Sequence, residues 1–535
     1  MPFLRVEKKK SGSYIRILES YRNDDGKSTH RILYSLGKVE DYTPEQLRSL
    51  GIKLYELGGG EAKNLLKGEV RELGRFNYGY QLVYNKALKH YGLHDVFRRI
   101  AKKSKLSFDF HNTLMLMLLE RLQEPCSKRA NFLNQSEYLN LPNIELHHLY
   151  RALDKLDTNS NLIQQHIFQT GRDLFNSKLD VVFYDVTTFY FESDVEKEGD
   201  LRQMGFGKDG KIGHTQILFS MLIDKDKNPI GYRVYKGNTY EGDTFEQALD
   251  DLKNSYDIEN IIVVADRGML SKKNVGLIDQ KGYEFILGER LKSLPKEVKQ
   301  SLIDISQYKS EWVYNDHTGQ DITVRYTTIE YGDKTIICTY SSNRAKKDEM
   351  ERLAKVEKAK SLLKNTSQLK TKQRRFFIKQ TSNDKYELNQ NKIDEDAKYD
   401  GFLAIATNTS LNATTVLENY KHLYKIEHSF RTFKSHLETR PMFHWTDQRI
   451  KGHICLCYIA FCLQNYVLQR VNHSESKITE SSLRKTLDKM QISMVQTTTE
   501  QLYIKSAPTE LEPIILQGLG IKPLLPMIKP QGLNI

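Results

Sequence analysis

Three acidic residues stand in settings that could carry chemistry. Asp185 interrupts LDVVFYDVTTFYFES, a β-branched and aromatic run with almost no charge before it. Asp266 does the same in ENIIVVADRGML. Runs of this texture predict buried strands, and both acids are expected where a core strand turns polar. An aspartate at a strand end is usually a turn former or cap. Two of them on neighbouring strands instead repel, which raises a pKa or requires a cation between them. Oxygen-only ligands of that kind suit Mg²⁺ or Mn²⁺.

The third acid is Glu427, in ENYKHLYKIEHSFRTFKSHLETRP, Glu418 to Pro441. This stretch predicts one helix. At 100° per residue Tyr420, Glu427, Arg431, Lys434 and Glu438 share one side. Leu423, Ile426, Phe430, Phe433 and Leu437 form an apolar stripe beside them. A helix packed on the sheet through that stripe could point Glu427 at the two aspartates. Without that packing, Glu427 and Arg431 make an ordinary surface pair contributing roughly 0.2–0.5 kcal/mol. Three carboxylates without His or Cys suit two-metal phosphoryl transfer, with Lys434 facing the incoming phosphate.

The surrounding elements set the expected fold. A chain of 535 residues exceeds one ordinary core. Residues 1–75 read as a small β-rich unit, with a hairpin through YIRILESY, the turn NDDGKS and HRILYSLGKV. Residues 76–178 read as helical and carry the basic patch Arg98, Arg99, Lys102, Lys103 and Lys105, a solvated face or a DNA-backbone contact. Residues 179–290 give three antiparallel strands, a helix and further strands, the order of a ribonuclease-H-like mixed sheet. Residues 291–400 break that order as a β-rich insertion, 401–475 resume the core, and 476–535 read as a helical region with a loose Pro-punctuated tail. The fold class is therefore α/β: a ribonuclease-H-like catalytic domain with a β-rich insertion and an N-terminal β-plus-helical region.

Composition narrows the partners. The net charge is +12, and nucleic acid is the commonest acidic partner of a large basic chain. The five cysteines are scattered, and the cluster Cys455, Cys457 and Cys462 lacks a paired Cys-x-x-Cys, so neither a disulfide scaffold nor a zinc site is expected. The start lacks the apolar core of a signal peptide, and the run ICLCYIAFCL is too short to span a bilayer, so a cytoplasmic protein without membrane contact is expected. GFGKDG precedes a strand instead of opening a helix, which argues against dinucleotide binding and for a turn. His214, in KIGHTQ, is expected at a strand edge.

These residues resemble the DDE transposases of bacterial insertion sequences, in the insertion-sequence-four supergroup. That group carries Tyr-x2-Arg-x3-Glu-x6-Lys on its third catalytic segment. Tyr420, Glu427 and Lys434 match it, while Leu423 stands at the Arg position, where Arg431 or Lys425 could substitute. The segments around Asp185 and Asp266 look like the family's two Asp motifs, and the resemblance covers about Val181 to Leu463. It implies two Mg²⁺ or Mn²⁺ ions held by Asp185, Asp266 and Glu427. It also implies cleavage of the ends of an insertion sequence, after which the freed 3′-hydroxyl attacks a phosphodiester of either the opposite strand or target DNA. The implied partners are double-stranded transposon ends and target DNA, bound by a homodimer. Tyr420, Lys434, Arg431, Arg267 and the basic patch are the expected DNA contacts. Trp312 or Trp445 could stack a flipped base, although core packing is the ordinary use of each. Two other readings remain. A transposase-derived DNA-binding protein could lack catalysis. An aspartyl-phosphate phosphatase would use Asp185 as nucleophile, but Thr187 stands where its second acid belongs.

Overall fold

The structure is a computed structural model that describes residues 2–59, 70–171, 181–192, 201–206, 212–256, 258, 261–315, 319–364, 376–382, 385–439, 442–472, 477–497 and 500–533. The end of GFGKDG and the start of the basic segment KTKQRRFFIKQ lie outside them. Two compact units result. One comprises residues 1–75, 492–506 and 524–534. The other comprises residues 76–491 and 507–523 with the final residue.

In the first unit, the expected hairpin is present as Gly12–Arg22 paired antiparallel with Ser28–Lys38, and Pro2–Lys9 adds a third strand. Gly26, at φ +73°, makes the turn that the Asp-Gly pair signals. Helix Pro44–Leu57 follows, capped by Thr43, whose side chain accepts the Gln46 N–H. The C-terminal segment is not purely helical. Ile492–Gln496, Gln501–Lys505 and Met527–Ile528 join Arg71–Phe76 in a four-stranded sheet. The tail expected to be loose is therefore tied down by backbone pairing at Tyr503 and Ile504.

The second unit holds a mixed sheet. Its strands in chain order are β1 (Val181–Tyr190), β2 (Ile212–Asp224), β3 (Pro229–Lys236), β4 (Ile262–Ala265), β5 (Glu284–Glu289), β6 (Ser310–Asn315), β7 (Asp321–Tyr331), β8 (Lys334–Tyr340) and β9 (Phe402–Thr407). A short strand, Gln203–Phe206, extends the β2 edge. β1, β2 and β3 pair antiparallel, while β4 runs parallel to β1 and β5 parallel to β4. The resulting order β3-β2-β1-β4-β5 is the ribonuclease-H-like core. Of the inserted strands, β6, β7 and β8 continue the same sheet through β9, which pairs with β5, while Ile378–Ser382 and Lys385–Leu388 pair as a separate two-stranded sheet.

The helices α1 (Thr244–Asn254) and α2 (Lys272–Gln280) cover one face of the sheet. There Tyr184, Val186, Leu218, Val263, Ala265 and Phe245 share a buried cluster. The inserted helix α3 (Ser342–Leu363) follows β8. The stretch expected as one helix is divided in three: α4 (Ala413–Lys421), α5 (Tyr424–Arg431) and a π-helical turn at Thr432–His436. Between α4 and α5 the Leu423 N–H bonds to Tyr420 O, a tighter three-residue turn. Beyond α5 the Leu437 N–H reaches back five residues to Thr432 O.

The long helix α6 (Asp447–Val471) packs against Tyr78–His90, Phe110–Gln123 and Leu146–Thr158. Residues 76–178 thus share a compact unit with the sheet. Gly452 permits the close crossing, since a Cβ there would lie 2.0 Å from Leu153 O. The apolar run ICLCYIAFCL is only the middle of α6, which by length and composition could cross a membrane. In the fold 72% of its most apolar window is buried, and Cys455, Cys457 and Cys462 are buried free thiols within it.

Candidate active site

Register brings the two aspartates together. Tyr184 pairs with Ala265 in the parallel β1–β4 ladder, so Asp185 and Asp266 are the next residues on strands about 4.8 Å apart. Asp185 lies in the middle of β1, not at its end as expected. It meets solvent because β4 stops one residue short of it. The Asp185 carboxylate accepts the Val186 N–H and the Asp266 carboxylate accepts the Arg267 N–H, each at 2.7 Å.

Alternation of side chains sets which helix meets them. Thr187 pairs with Phe219, so Phe219 shares the sheet face of Asp185, opposite the α1–α2 layer. Phe219 packs on Phe430 of α5 and Phe433 of the π-helical turn, with ring centroids 6.0 and 5.1 Å away. Ile426, Phe430, Phe433 and Leu437 are all buried, as the predicted stripe requires. Leu423 departs from that stripe and lines a cleft instead.

That cleft, of about 610 Å³, is lined by Asp185, Asp266 and Glu427 together. Tyr420, Trp312, Tyr314, Tyr424, Lys421 and Arg344 also line it. Among the described residues no three His, Cys, Asp or Glu side chains approach closely enough to hold a metal ion. The three acids therefore share one cleft without forming a closed ligand cage. Their chemistry, oxygen donors only, fits a hard divalent cation.

The remaining expected contacts divide. Tyr420 lines the cleft, and burial, followed by the nearby Asp266 charge, raises the pKa of its hydroxyl. Trp312 lies in the cleft wall, 4.5 Å from the Tyr314 ring. Trp445 does not line it; its ring rests 4.6 Å from the Arg202 guanidinium. Lys434 and Arg431 are outside the lining too; Lys434 falls within the π-helical turn, while Arg431 lies on α5 with Glu427. Glu438, at φ +39°, lies beyond the helix altogether. Arg267 lines a neighbouring charged cleft of about 710 Å³, which also contains Asp266, Tyr420 and Arg344. Arg98, Arg99, Lys102 and Lys103 are exposed on helix Leu93–Lys103, and Arg98 pairs with Asp95 at 3.3 Å. Lys425 is engaged elsewhere, donating to Lys225 O at 2.5 Å. His214 is half-buried within β2.

Tyr314, Lys421, Tyr424 and Arg344 were not singled out from sequence. Trp312-x-Tyr314 does carry a signal, since alternate residues of one strand share a face. Arg344 carries none, because its place depends on how the insertion joins the sheet.

The strand crossing beneath Tyr420 is Gly288 of β5. A Cβ there would lie 2.5 Å from the Tyr420 hydroxyl and 2.8 Å from Arg267 N. Gly288→Ala is expected to displace both Tyr420 and the Arg267 backbone next to Asp266, and to slow DNA cleavage at least about tenfold. Nuclease assays beside thermal melts check this; unchanged cleavage would show that neither the Tyr420 nor the Arg267 placement matters.

The family described as transposase DDE domain matches residues 176–463, more than half of the chain. The family described as IS1634 family transposase, N-terminal domain, matches residues 4–64. No curated protein matches. Among solved structures the chain is similar to the piggyBac transposase, described in a synaptic complex with hairpin DNA. Identity is 10%, 77% of this chain and 79% of that chain are covered, and the TM-score is 0.38. On the family matches, the chain belongs to the DDE transposases of bacterial insertion sequences, enzymes that act on DNA.

Proposed function

We propose that this transposase binds the ends of its own insertion sequence, cleaves them and joins them to target DNA, with Asp185, Asp266 and Glu427 holding two Mg²⁺ or Mn²⁺ ions. The observation that carries this reading is the shared cleft: two adjacent strands and one helix each contribute a carboxylate to it. Bound divalent ions would supply activation of the attacking oxygen and stabilisation of the leaving oxygen. The protein's part is placement. β1 and β4 fix the aspartates through backbone pairing, and the Phe219–Phe430–Phe433 contact holds α5, and with it Glu427, above them.

Trp312 is favoured over Trp445 as a platform for an unstacked base because it faces the cleft beside Tyr314. Base stacking on an aromatic ring contributes about 1–3 kcal/mol. Trp312→Ala is expected to slow strand transfer about ten- to hundred-fold, and Trp445→Ala to leave it within about twofold. Gel assays of nicking and joining with each variant check the difference; equal losses in both would remove the platform role from Trp312.

Lys434, Arg431, Arg267 and the exposed patch Arg98, Arg99, Lys102 and Lys103 are proposed as DNA-backbone contacts outside the cleft. Two ends must be joined in one event, so the DNA-bound form is proposed to be a homodimer acting in the bacterial cytoplasm. The deciding experiment incubates the full chain with Mg²⁺ and duplexes taken from the DNA flanking its own coding sequence. Site-specific 3′-hydroxyl ends produced by wild type and not by Asp185→Ala support the reading. Binding without cleavage by both would sink it.

A further inference from the structure

The cleft brings three carboxylates to a site proposed for a phosphodiester, itself an anion. Only two cationic side chains line it among the described residues, Lys421 and Arg344. Lys421 is engaged: its Nζ donates to Asn315 O at 2.9 Å and lies 3.8 Å from the Tyr314 ring centre. Arg344 differs. Its Nε is 3.6 Å from Asp348, its side chain is 43% exposed, and its terminal nitrogens make no hydrogen bond among the described residues.

Arg344 is nevertheless well placed. It lies in the first turn of α3, where its N–H meets the Ser341 hydroxyl at 3.5 Å. That turn is pinned to the chain entering β9. The Ser341 N–H donates to Gly401 O at 3.0 Å, and the Gly401 N–H donates to Asp348 Oδ2 at 3.0 Å. Asp348 thus connects the loop to the arginine. Arg344 also lines the neighbouring charged cleft, and Asp266 and Tyr420 line both. It stands where the two clefts meet, beside an acid of the proposed catalytic set. A guanidinium with unused forked donors matches a phosphate oxygen pair in geometry and charge.

Resting on the reading of this cleft as the DNA-cleaving site, we propose that Arg344 binds a DNA phosphate at the junction of the two clefts. The inserted stretch thereby supplies the cation that the α4–α5 turn, apolar at Leu423, does not. The arginine is a substrate contact delivered from the insertion, so the insertion is part of the site.

The test is the salt dependence of binding, measured with the full chain and a fluorescent duplex from the DNA flanking its coding sequence, in Ca²⁺ to hold back cleavage. Arg344→Ala is expected to weaken binding about ten- to hundred-fold at low salt. The slope of log affinity against log salt should shrink by about 0.9, the loss of one phosphate contact. Arg344→Lys keeps the charge and should keep the slope while losing part of the affinity. An Arg344→Ala protein that melts like wild type and binds with unchanged affinity and slope overturns the proposal. The readout needs no cleavage. Wild type that binds but does not cut in Mg²⁺ would therefore count against the enzymatic reading alone.

Discussion

Asp185→Asn, Asp266→Asn and Glu427→Gln are each expected to lower Mg²⁺-dependent end cleavage at least about a thousand-fold while leaving duplex binding within a few-fold. The reason is electrostatic. Each change keeps the shape of the side chain and removes one of the three negative charges lining the cleft. A neutral amide holds a divalent cation far more weakly than a carboxylate does, so the ion that would stabilise the developing charge of phosphoryl transfer is lost. Asp185 and Asp266 are adjacent in register, so the double variant is expected to lose little more than either single one, as residues acting as a unit do. A gel-based cleavage assay with fluorescence binding beside it makes the comparison. Retention of more than a tenth of wild-type cleavage by any of the three would remove that residue from the metal-binding set. Because the carboxylates form no closed cage among the described residues, metal binding should be weak in the free protein and strengthen when DNA is present. Titration calorimetry with and without duplex checks this.

Phe219→Ala is expected to cost about 3–5 kcal/mol of stability, the range for deleting a fully buried Phe. Phe219 has no exposed surface. Its ring meets Phe189, Tyr232, Phe430 and Phe433 at centroid distances of 5.1, 5.6, 6.0 and 5.1 Å. Phe433 in turn packs on Phe461 of α6, and Tyr232 on Tyr458 of α6. The deleted ring leaves a cavity where β2, α5 and α6 converge, directly beneath the helix carrying Glu427. Cleavage should therefore fall further than the folded fraction alone explains, and Phe219→Leu should recover most of both losses. Thermal melts paired with cleavage assays at a temperature where both variants are folded give the comparison. A variant that loses stability and keeps full specific activity would show that Glu427 is held by other contacts.

How much of this was legible beforehand follows from the range of the interactions involved. The two aspartate strands announced themselves by apolar texture, and the α5 stripe by its spacing of three and four residues. Burial on one face imposes both patterns locally, so they survive in the linear sequence. The hairpin near the N-terminus was readable because turn chemistry is equally local. Readings went astray where the determinant was not local. Helix 418–441 looked continuous because no proline interrupts its described part; the tighter turn at Leu423 and the π-helical turn at Thr432–His436 have no residue signature. Lys434 left the row that Tyr420 and Glu427 share, since the wider π-helical turn at Thr432–His436 rotates the side chains within and beyond it. The insertion was expected from its broken strand order, and the joining of β6, β7 and β8 to the main sheet through β9 is a pairing between residues far apart in the chain.

The sequence by itself determined the chemistry available: three carboxylates without His or Cys, a basic chain, and a match to insertion-sequence transposases. Residue type and local period record those directly. Only the tertiary structure decided which side chains share the cleft. The parallel register of β1 and β4 seated Asp185 beside Asp266, and the ring contacts of Phe219 carried Glu427 over them. Strand pairing across the insertion delivered Trp312 and Arg344 to the same wall while leaving Trp445 on Arg202. Such choices depend on contacts between distant segments, whose geometry no single stretch of sequence encodes.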